Sequence, residues 1–147
     1  MSIVYALEPR LSAKEFREIL VASTLAERRP VDDLDVMEKM LRNADVIVTA
    51  RHEGGLVGVS RAVTNFSFCC FLSDLAVDSV FQHRGIGRRL IQETHVTAGV
   101  HTNLFLVSAP TADGYYPKIG MKTFSCWGIS RNNRWNQSPA FWMTAAS

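Results

Sequence analysis

The sequence predicts an α/β protein in which a mixed, mostly antiparallel central sheet carries helices on both faces. Residues 68–77 form an apolar run rich in aromatic and aliphatic side chains, which is typical of a strand covered on both faces. A glycine turn and a helical pattern follow this run at once. Further helical patterns and several short strand patterns lie before and after it, so strands and helices alternate along the chain.

Length and composition limit the class of protein. The chain has 147 residues, of which 47% are hydrophobic and 20% are charged, so we expect a single domain over residues 1–147. The net charge of +2 is too small to indicate a nucleic-acid partner. Cys69, Cys70 and Cys126 form no C-x-x-C pair, so we expect neither a disulfide framework nor a metal site. No signal peptide or membrane-spanning run is present, so we expect a cytoplasmic protein without a membrane partner.

The N-terminal part of the chain predicts one strand, two helices and a hairpin. Both helices begin at capping residues, the first at the capping box of Ser12 and Glu15 and the second at Asp32 or Asp33. The predicted elements are a strand over residues 3–7, a helix over 13–26, a helix with core residues Val36, Met37, Met40 and Leu41, and hairpin strands over 45–53 and 56–64.

The C-terminal part predicts two strands, a short helix and a tail. After the central helix we expect a buried strand over residues 103–109, a helix over 111–119 that ends at Gly120, and a strand over 122–131. The tail, residues 132–147, contains three large aromatic side chains and is predicted to be a last strand or a packed segment.

The glycine turn before the central helix is a candidate anion site. Gly85 and Gly87 flank Ile86, where the helical pattern begins. A helix that starts in such a turn presents free backbone N–H groups and the positive end of its dipole, which favours a phosphate. One face of the helix is predicted to be buried and comprises Ile86, Gly87, Leu90, Ile91, Thr94 and Ala98.

Two segments resemble one family. Residues 82–87, QHRGIG, resemble the Q/R-x-x-G-x-G/A signature of the GNAT superfamily of N-acetyltransferases, and they match the Rossmann and P-loop patterns poorly. Residues 112–121, ADGYYPKIGM, resemble the family's A-x-x-F-Y-x-K-x-G-F segment. This chain departs from the family at Ala109, where an Asn is frequent, and at Pro117, which removes a backbone donor from the predicted helix.

The resemblance implies the GNAT fold and a site for acetyl-CoA, which would be a co-substrate, with no metal. In this family the loop amides hold the pyrophosphate, and the central strand parts from its neighbour so that its amides bind the acetyl carbonyl and the pantetheine arm. The residues implied in cofactor binding are Leu75, Ala76, Val77, Gln82, His83, Arg84, Gly85, Ile86, Gly87, Arg88 and Tyr116. The arginine cluster of Arg84, Arg88 and Arg89 is either complementary to the phosphates or a solvated helix face.

Two side chains are predicted to be catalytic. By resemblance Tyr116 lies beside the cofactor sulfur, where a phenol can protonate the departing thiolate; the alternative is plain packing. Asp74 is a lone carboxylate in an apolar strand, which favours a general base. Its alternative roles are to cap a loop or to pair with an arginine.

We therefore expect an N-acetyltransferase that moves an acetyl group directly to a primary amine within a ternary complex. Direct transfer is expected because adjacent cysteines in an apolar strand are most often core residues. The acceptor, most simply a small-molecule amine, is predicted to bind among residues 25–33, 65–66 and 126–133. Exposed aromatic residues in the tail favour a homodimer. The alternatives are a non-catalytic acyl-CoA-binding regulatory module and a nucleic-acid binder that uses the arginine cluster.

Overall fold

Five strands form one mixed sheet in the computed structural model, which describes residues 1–131. The strands lie in chain order, and the first four are antiparallel to their neighbours while the fifth is parallel to the fourth. They are β1 (Val4–Leu7), β2 (Val46–His52), β3 (Gly55–Thr64), β4 (Cys69–Val77) and β5 (Asn103–Phe105). The helices are α1 (Ala13–Ala22), α2 (Leu34–Arg42) and α3 (Ile86–Ala98). The predicted fold class, a mixed and mostly antiparallel sheet, is confirmed.

Helices cover both faces of the sheet because alternate residues of each strand are apolar on opposite sides. In β2, Ile47 packs in a cluster with the buried residues of α1 and α2. Its neighbours Val46 and Val48 pack in a second cluster with α3. Of the α3 face predicted from helical spacing, the buried residues are Ile86, Leu90, Ile91, Thr94 and Ala98.

The helix starts follow from their capping residues. The Ser12 side chain accepts a hydrogen bond from the Glu15 amide at 3.1 Å, and the Asp33 side chain accepts one from the Val36 amide at 3.1 Å. Each bond satisfies an amide that has no partner within its helix. Helix α1 ends earlier than predicted, at Ala22, and a short 3₁₀ turn over Leu25–Arg28 follows it.

The chain divides into two compact units, Met1–Thr111 and Ala112–Ser147. The first contains the whole sheet and its helices. The predicted single domain over residues 1–147 stays a prediction. Within residues 1–131, no helix is long and apolar enough to cross a lipid bilayer.

Three predictions for the C-terminal part are wrong. Strand β5 ends at Phe105 rather than at residue 109. The predicted helix over residues 111–119 is replaced by 3₁₀ turns at Pro110–Ala112 and Tyr116–Ile119, because Pro117 cannot donate an α-helical hydrogen bond. The predicted strand over 122–131 is absent; all of these residues are exposed and pair with no strand in the described part of the chain. The tail, residues 132–147, lies outside the described residues.

Candidate functional site

Within residues 1–131, the edge of β4 that faces β5 is open over most of its length. The pairing between the two strands covers only Cys69–Phe71 of β4 and Asn103–Phe105 of β5. Beyond Phe71, β4 continues to Val77 with β3 on one side and no described strand on the other. An open strand edge presents backbone N–H and C=O groups that an extended ligand can bind.

The hydrogen bonds of β4 show which amides face this open edge. The Asp78 amide donates to the Val57 carbonyl at 2.9 Å, so the backbone groups of Asp78 face β3. Backbone groups alternate in direction along a strand, so Ala76 also faces β3, where it pairs with Val59. Leu75 and Val77 therefore direct their backbone groups to the open edge. Of the three predicted cofactor-binding residues in this strand, Ala76 alone has its backbone groups on the β3 side.

The Gln82 side chain lies at the same edge. Its Nε2 donates a hydrogen bond to the Val77 carbonyl at 3.1 Å. This bond ties the turn after β4 to the end of the strand, and it leaves the amides of Leu75 and Val77 on the edge. Gln82 is one of the predicted cofactor-binding residues, and the structure gives its side chain this contact within the chain.

The turn before α3 has the geometry of an anion site. Gly85 adopts φ +81°, a left-handed conformation that glycine tolerates well, and it precedes the first helical residue, Ile86. The first helical hydrogen bond runs from the Arg89 amide to the Gly85 carbonyl at 3.1 Å. The amides of residues 85–88 precede it and have no acceptor within the helix. These donors, together with the dipole of α3, fit a diphosphate.

Basic side chains surround this turn. The Arg84 guanidinium lies 5.5 Å from the centroid of the Phe81 ring, and that of Arg89 lies 5.3 Å from the Tyr5 ring. Arg89 also pairs with Glu93 at 2.6 Å, while Arg88 is exposed. His83 is exposed at φ +64°, a conformation that is uncommon for a residue other than glycine. Local positive charge is thus concentrated where the free amides are.

Asp74 is buried and pairs with two arginines. Its side chain is 0% exposed, Oδ1 accepts a hydrogen bond from Arg29 Nε, and Oδ2 accepts one from Arg61 Nε at 2.5 Å. Both carboxylate oxygens are therefore engaged by cations. Of the roles that the sequence left open for Asp74, pairing with an arginine is the one that its contacts favour.

Tyr116 lies in the second unit, within the 3₁₀ turn Tyr116–Ile119. Burial raises the pKa of the Tyr116 phenol above its ordinary value, and the neighbouring Tyr115 adds to the shift. The two rings meet edge to face with centroids 5.3 Å apart. The phenol is therefore protonated at neutral pH, as a proton donor must be.

The structure describes most of the predicted acceptor region. Residues 25–33 connect α1 to α2, and Asn65 and Phe66 form the turn between β3 and β4. The Asn65 side chain accepts hydrogen bonds from the amides of residues 67, 68 and 69 and so shapes this turn. The third predicted segment, 126–133, extends beyond the described residues.

Sequence reasoning missed Arg29 and Arg61. A signal for Arg61 was present, because Arg61 and Asp74 are the only charged residues of two predicted neighbouring strands, and β3 and β4 do pair them directly. Arg29 carried no such signal, since it lies in a connection between helices and its contact is 45 residues away in sequence.

Comparison with known proteins gives the same fold. The profile of the acetyltransferase (GNAT) domain matches residues 43–122. A GNAT-family acetyltransferase of Streptococcus pneumoniae aligns with a TM-score of 0.70 at 19% identity, over 88% of this chain and 99% of that chain. A ribosomal-protein-alanine N-acetyltransferase of Brucella melitensis aligns with a TM-score of 0.65 at 22% identity, over 88% and 99% of the two chains. An aminoglycoside N-acetyltransferase in complex with CoA aligns with a TM-score of 0.69 at 16% identity, over 88% and 94%. No curated protein matches this chain significantly.

The family profile spans more than half of the sequence and includes the hairpin, the open strand, the glycine turn and the segment of Tyr116. The predicted family is thereby confirmed. The chain belongs to the GNAT acetyltransferases, acyltransferase enzymes that use acetyl-CoA.

Proposed function

We propose that this protein is an N-acetyltransferase that transfers the acetyl group of acetyl-CoA directly to a primary amine. The observation that carries the proposal is the continuity of β4, its turn and α3. One stretch of chain supplies an open edge for an extended thioester arm and, immediately after it, four free amides for a diphosphate. Acetyl-CoA has these two parts in that order.

The chain's own groups can support each change of charge during the transfer. The amine nitrogen forms a bond to the acetyl carbon, the bond from that carbon to sulfur breaks, and negative charge develops first on the carbonyl oxygen and then on sulfur. The amides of Leu75 and Val77 can donate to the oxygen, and one such donor typically contributes about 3 kcal/mol in acyl transfer. The resemblance of residues 112–121 to the family segment supports Tyr116 as the group whose phenol gives a proton to the departing thiolate, which leaves as the free thiol of CoA.

The amine must also lose a proton. Both oxygens of Asp74 already accept hydrogen bonds from arginines, and the carboxylate is buried, so neither oxygen is free to approach the amine. We therefore propose that water in the site takes the proton and that Asp74 acts by holding the two arginines.

The nature and setting of the acceptor belong to the same proposal. Residues 25–33 and the turn at Asn65 and Phe66 would line its site, and a small-molecule amine is the simplest acceptor. A cytoplasmic location is supported by the free cysteines Cys69, Cys70 and Cys126, which are compatible with a reducing compartment. A homodimer stays a prediction.

A thiol-release assay with acetyl-CoA and a library of primary amines tests this function. We expect isothermal titration to show binding of acetyl-CoA, and at least one amine to release CoA with formation of the N-acetyl product. Binding without release by any amine would instead favour the non-catalytic acyl-CoA-binding module. No binding of acetyl-CoA would refute both readings.

A further inference from the structure

A β-bulge at Ser73 reverses the alternation of backbone and side-chain directions along β4. In the pairing with β3, Arg61 is opposite Asp74 but the next residue, Ala62, is opposite Leu72, so Ser73 is an extra residue. The two core clusters show the effect on the side chains. Cys70 packs in the cluster of α3, whereas Ala76, an even number of residues later, packs in the cluster of α1 and α2. The strand therefore reverses its alternation between them.

This bulge decides which amides reach the open edge. The Phe68 carbonyl accepts a bond from the Asn103 amide at 2.7 Å, so even-numbered residues face β5 before the bulge. After the bulge the odd-numbered Leu75 and Val77 face that side. Without the extra residue, the edge would present the backbone groups of Asp74 and Ala76 instead.

Two arginines hold the bulged residue. The Arg29 Nη2 atom donates a hydrogen bond to the Ser73 carbonyl at 2.8 Å. The Arg61 Nη2 atom donates one to the Ser73 hydroxyl at 2.9 Å. Both oxygens of Ser73 thus accept a hydrogen bond from a guanidinium group, and these bonds are stronger than bonds between neutral groups.

The Asp74 carboxylate fixes the two guanidinium groups in turn. It binds Arg29 through Oδ1 and Arg61 through Oδ2, and both arginine side chains are largely buried, at 21% and 8% exposure. Arg61 also donates to the Met40 carbonyl of α2 at 3.2 Å. A buried charge pair of this kind is costly to break because it would leave charges without partners. The four residues Arg29, Arg61, Ser73 and Asp74 are called the bulge clamp below.

Arg29 differs from the other members of the bulge clamp because it lies outside the sheet. It belongs to the connection between α1 and α2, at the end of a 3₁₀ turn and immediately before Pro30. We infer that Arg29 is a positioning residue that couples this connection to the bulge and so keeps the amides of Leu75 and Val77 at the open edge. The inference deepens the proposed function and rests on it for its link to acetyl transfer.

The proposal predicts a local effect on the strand edge that can be measured without turnover. Arg29→Lys keeps the positive charge beside Asp74 but lacks the planar group that bridges Asp74 and Ser73. In amide ¹H–¹⁵N spectra we expect this variant to shift the signals of Leu75 and Val77, and to leave those of Ile86 and Gly87 unchanged. Arg28→Gln is the matched control, since Arg28 is an exposed residue of the same turn and its side chain makes no hydrogen bond or ion pair within residues 1–131. Arg28→Gln should shift neither the Leu75 and Val77 signals nor the Ile86 and Gly87 signals.

The kinetic arm separates positioning from a merely structural role. With rates expressed per folded molecule, Arg29→Lys should lower kcat by about 10- to 100-fold, as expected when reacting groups are misplaced by less than about 1 Å. The dissociation constant of CoA should stay within about threefold, because the glycine turn supplies most of the phosphate contacts. If Arg29→Gln folds, it should lower kcat more than Arg29→Lys does. If Arg29→Gln does not fold, Arg29→Lys alone provides the test.

Each outcome has a separate meaning. Unmoved signals of Leu75 and Val77 in folded Arg29→Lys overturn the inference, and so does an unchanged kcat. A fall in activity that matches only the loss of folded protein overturns it as well. If the unsubstituted protein acetylates no amine, the proposed function fails, while the amide spectra still decide whether Arg29 positions the edge.

Discussion

Tyr116 is the residue for which the structure predicts a pH dependence. Its pKa is raised by burial, so the phenol stays neutral to a higher pH than the ordinary value of about 10. If Tyr116 protonates the thiolate, kcat should fall only as pH rises through this raised pKa. Tyr116→Phe should lower kcat by about 100-fold and abolish that alkaline decrease, which a pH profile of thiol release measures.

Tyr115→Phe is the control for that experiment, since it removes a phenol from the adjacent ring of the same edge-to-face pair. Its kcat and pH profile should resemble those of the unsubstituted protein. A full rate in Tyr116→Phe, or an unchanged alkaline limb, would show that the proton comes from elsewhere.

Gly85 allows a matched test of the anion site. Gly85 and Gly54 both have left-handed φ values, +81° and +83°, and at neither position would a Cβ meet another described atom within 4 Å. Substitution by Ala at either position should therefore lower the free energy of unfolding by a similar amount, about 1–2 kcal/mol, because Ala is strained at this φ. Only Gly85→Ala should weaken CoA binding, by about tenfold, because it disturbs an amide that is proposed to donate to a phosphate of CoA. Urea unfolding and isothermal titration measure the two effects, and equal CoA affinities in both variants would contradict the site.

For single residues, roles that depend on a local sequence pattern were easier to predict than roles that depend on partners distant in sequence. Gly85, Gly87 and the helix that follows form one continuous pattern, so their placement could be read directly. The role of Asp74 could not be predicted in this way, because it depends on Arg29, which is 45 residues away in sequence. A lone carboxylate in an apolar strand fits both a base and a buried ion pair, and only the tertiary partner distinguishes them.

Among the elements, β1, α1 and β2 are joined by a polar network. The Arg51 side chain of β2 pairs with Glu8, which follows β1, and with Glu15 of α1, each at 2.8 Å. The hydrogen bond from Arg51 lowers the pKa of Glu8, and a further bond from Thr49 adds to this effect. The same network explains why the capping box at α1 is only half formed, since the Glu15 carboxylate binds Arg51.

This network makes the docking of β1 and α1 sensitive to acid. A carboxylate with a lowered pKa stabilises the fold above its ordinary pKa of about 4.3, and the contribution is lost as pH falls through the lowered value. Glu8→Gln should therefore reduce the free energy of unfolding by about 1 kcal/mol at neutral pH, with the difference closing in acid. Urea unfolding at a series of pH values measures it. Glu18→Gln, at an exposed position of α1, is the control and should leave the free energy of unfolding at neutral pH nearly unchanged. A Glu8→Gln deficit that persists in acid would contradict the ion-pair account.

Elements were predictable where their pattern is periodic and their partners are near in sequence. The hairpin of β2 and β3, the strand β4 and the helix α3 have strong alternation or helical spacing. The bounds of these three strands differ from prediction by at most one residue at either end. The predictions for residues 106–131 failed because they were made from local sequence patterns. A strand needs a neighbour to accept its backbone bonds, and Pro117 limits the helix, so local composition could not decide there.

At the scale of the whole molecule, the two features of the proposed site, the open edge of β4 and the glycine turn before α3, follow one another directly along the chain. The open edge ends at Val77, and the turn at Gln82 then leads directly into α3, with the Gln82 side chain bound to the Val77 carbonyl. Strand β3 pairs with β4 on one side, and on the other side β5 is short and no further strand of residues 1–131 pairs with β4. Both features of the proposed site are thus placed by the topology of one strand and the turn after it.

The net charge of the molecule distinguishes binding of CoA from binding of nucleic acid. A charge of only +2 gives little long-range attraction to a polyanion, so the arginines near the turn should act only at short range on a ligand already held by the amides. CoA at about 100 times its dissociation constant should stabilise the fold by about 2.7 kcal/mol. For a chain of this size that is a rise in Tm of roughly 5–10 °C, which a thermal unfolding scan measures. Duplex DNA at the same phosphate concentration should leave Tm unchanged, and the shift by CoA should persist when salt is raised. A large shift by DNA that disappears with salt would favour the nucleic-acid binder instead.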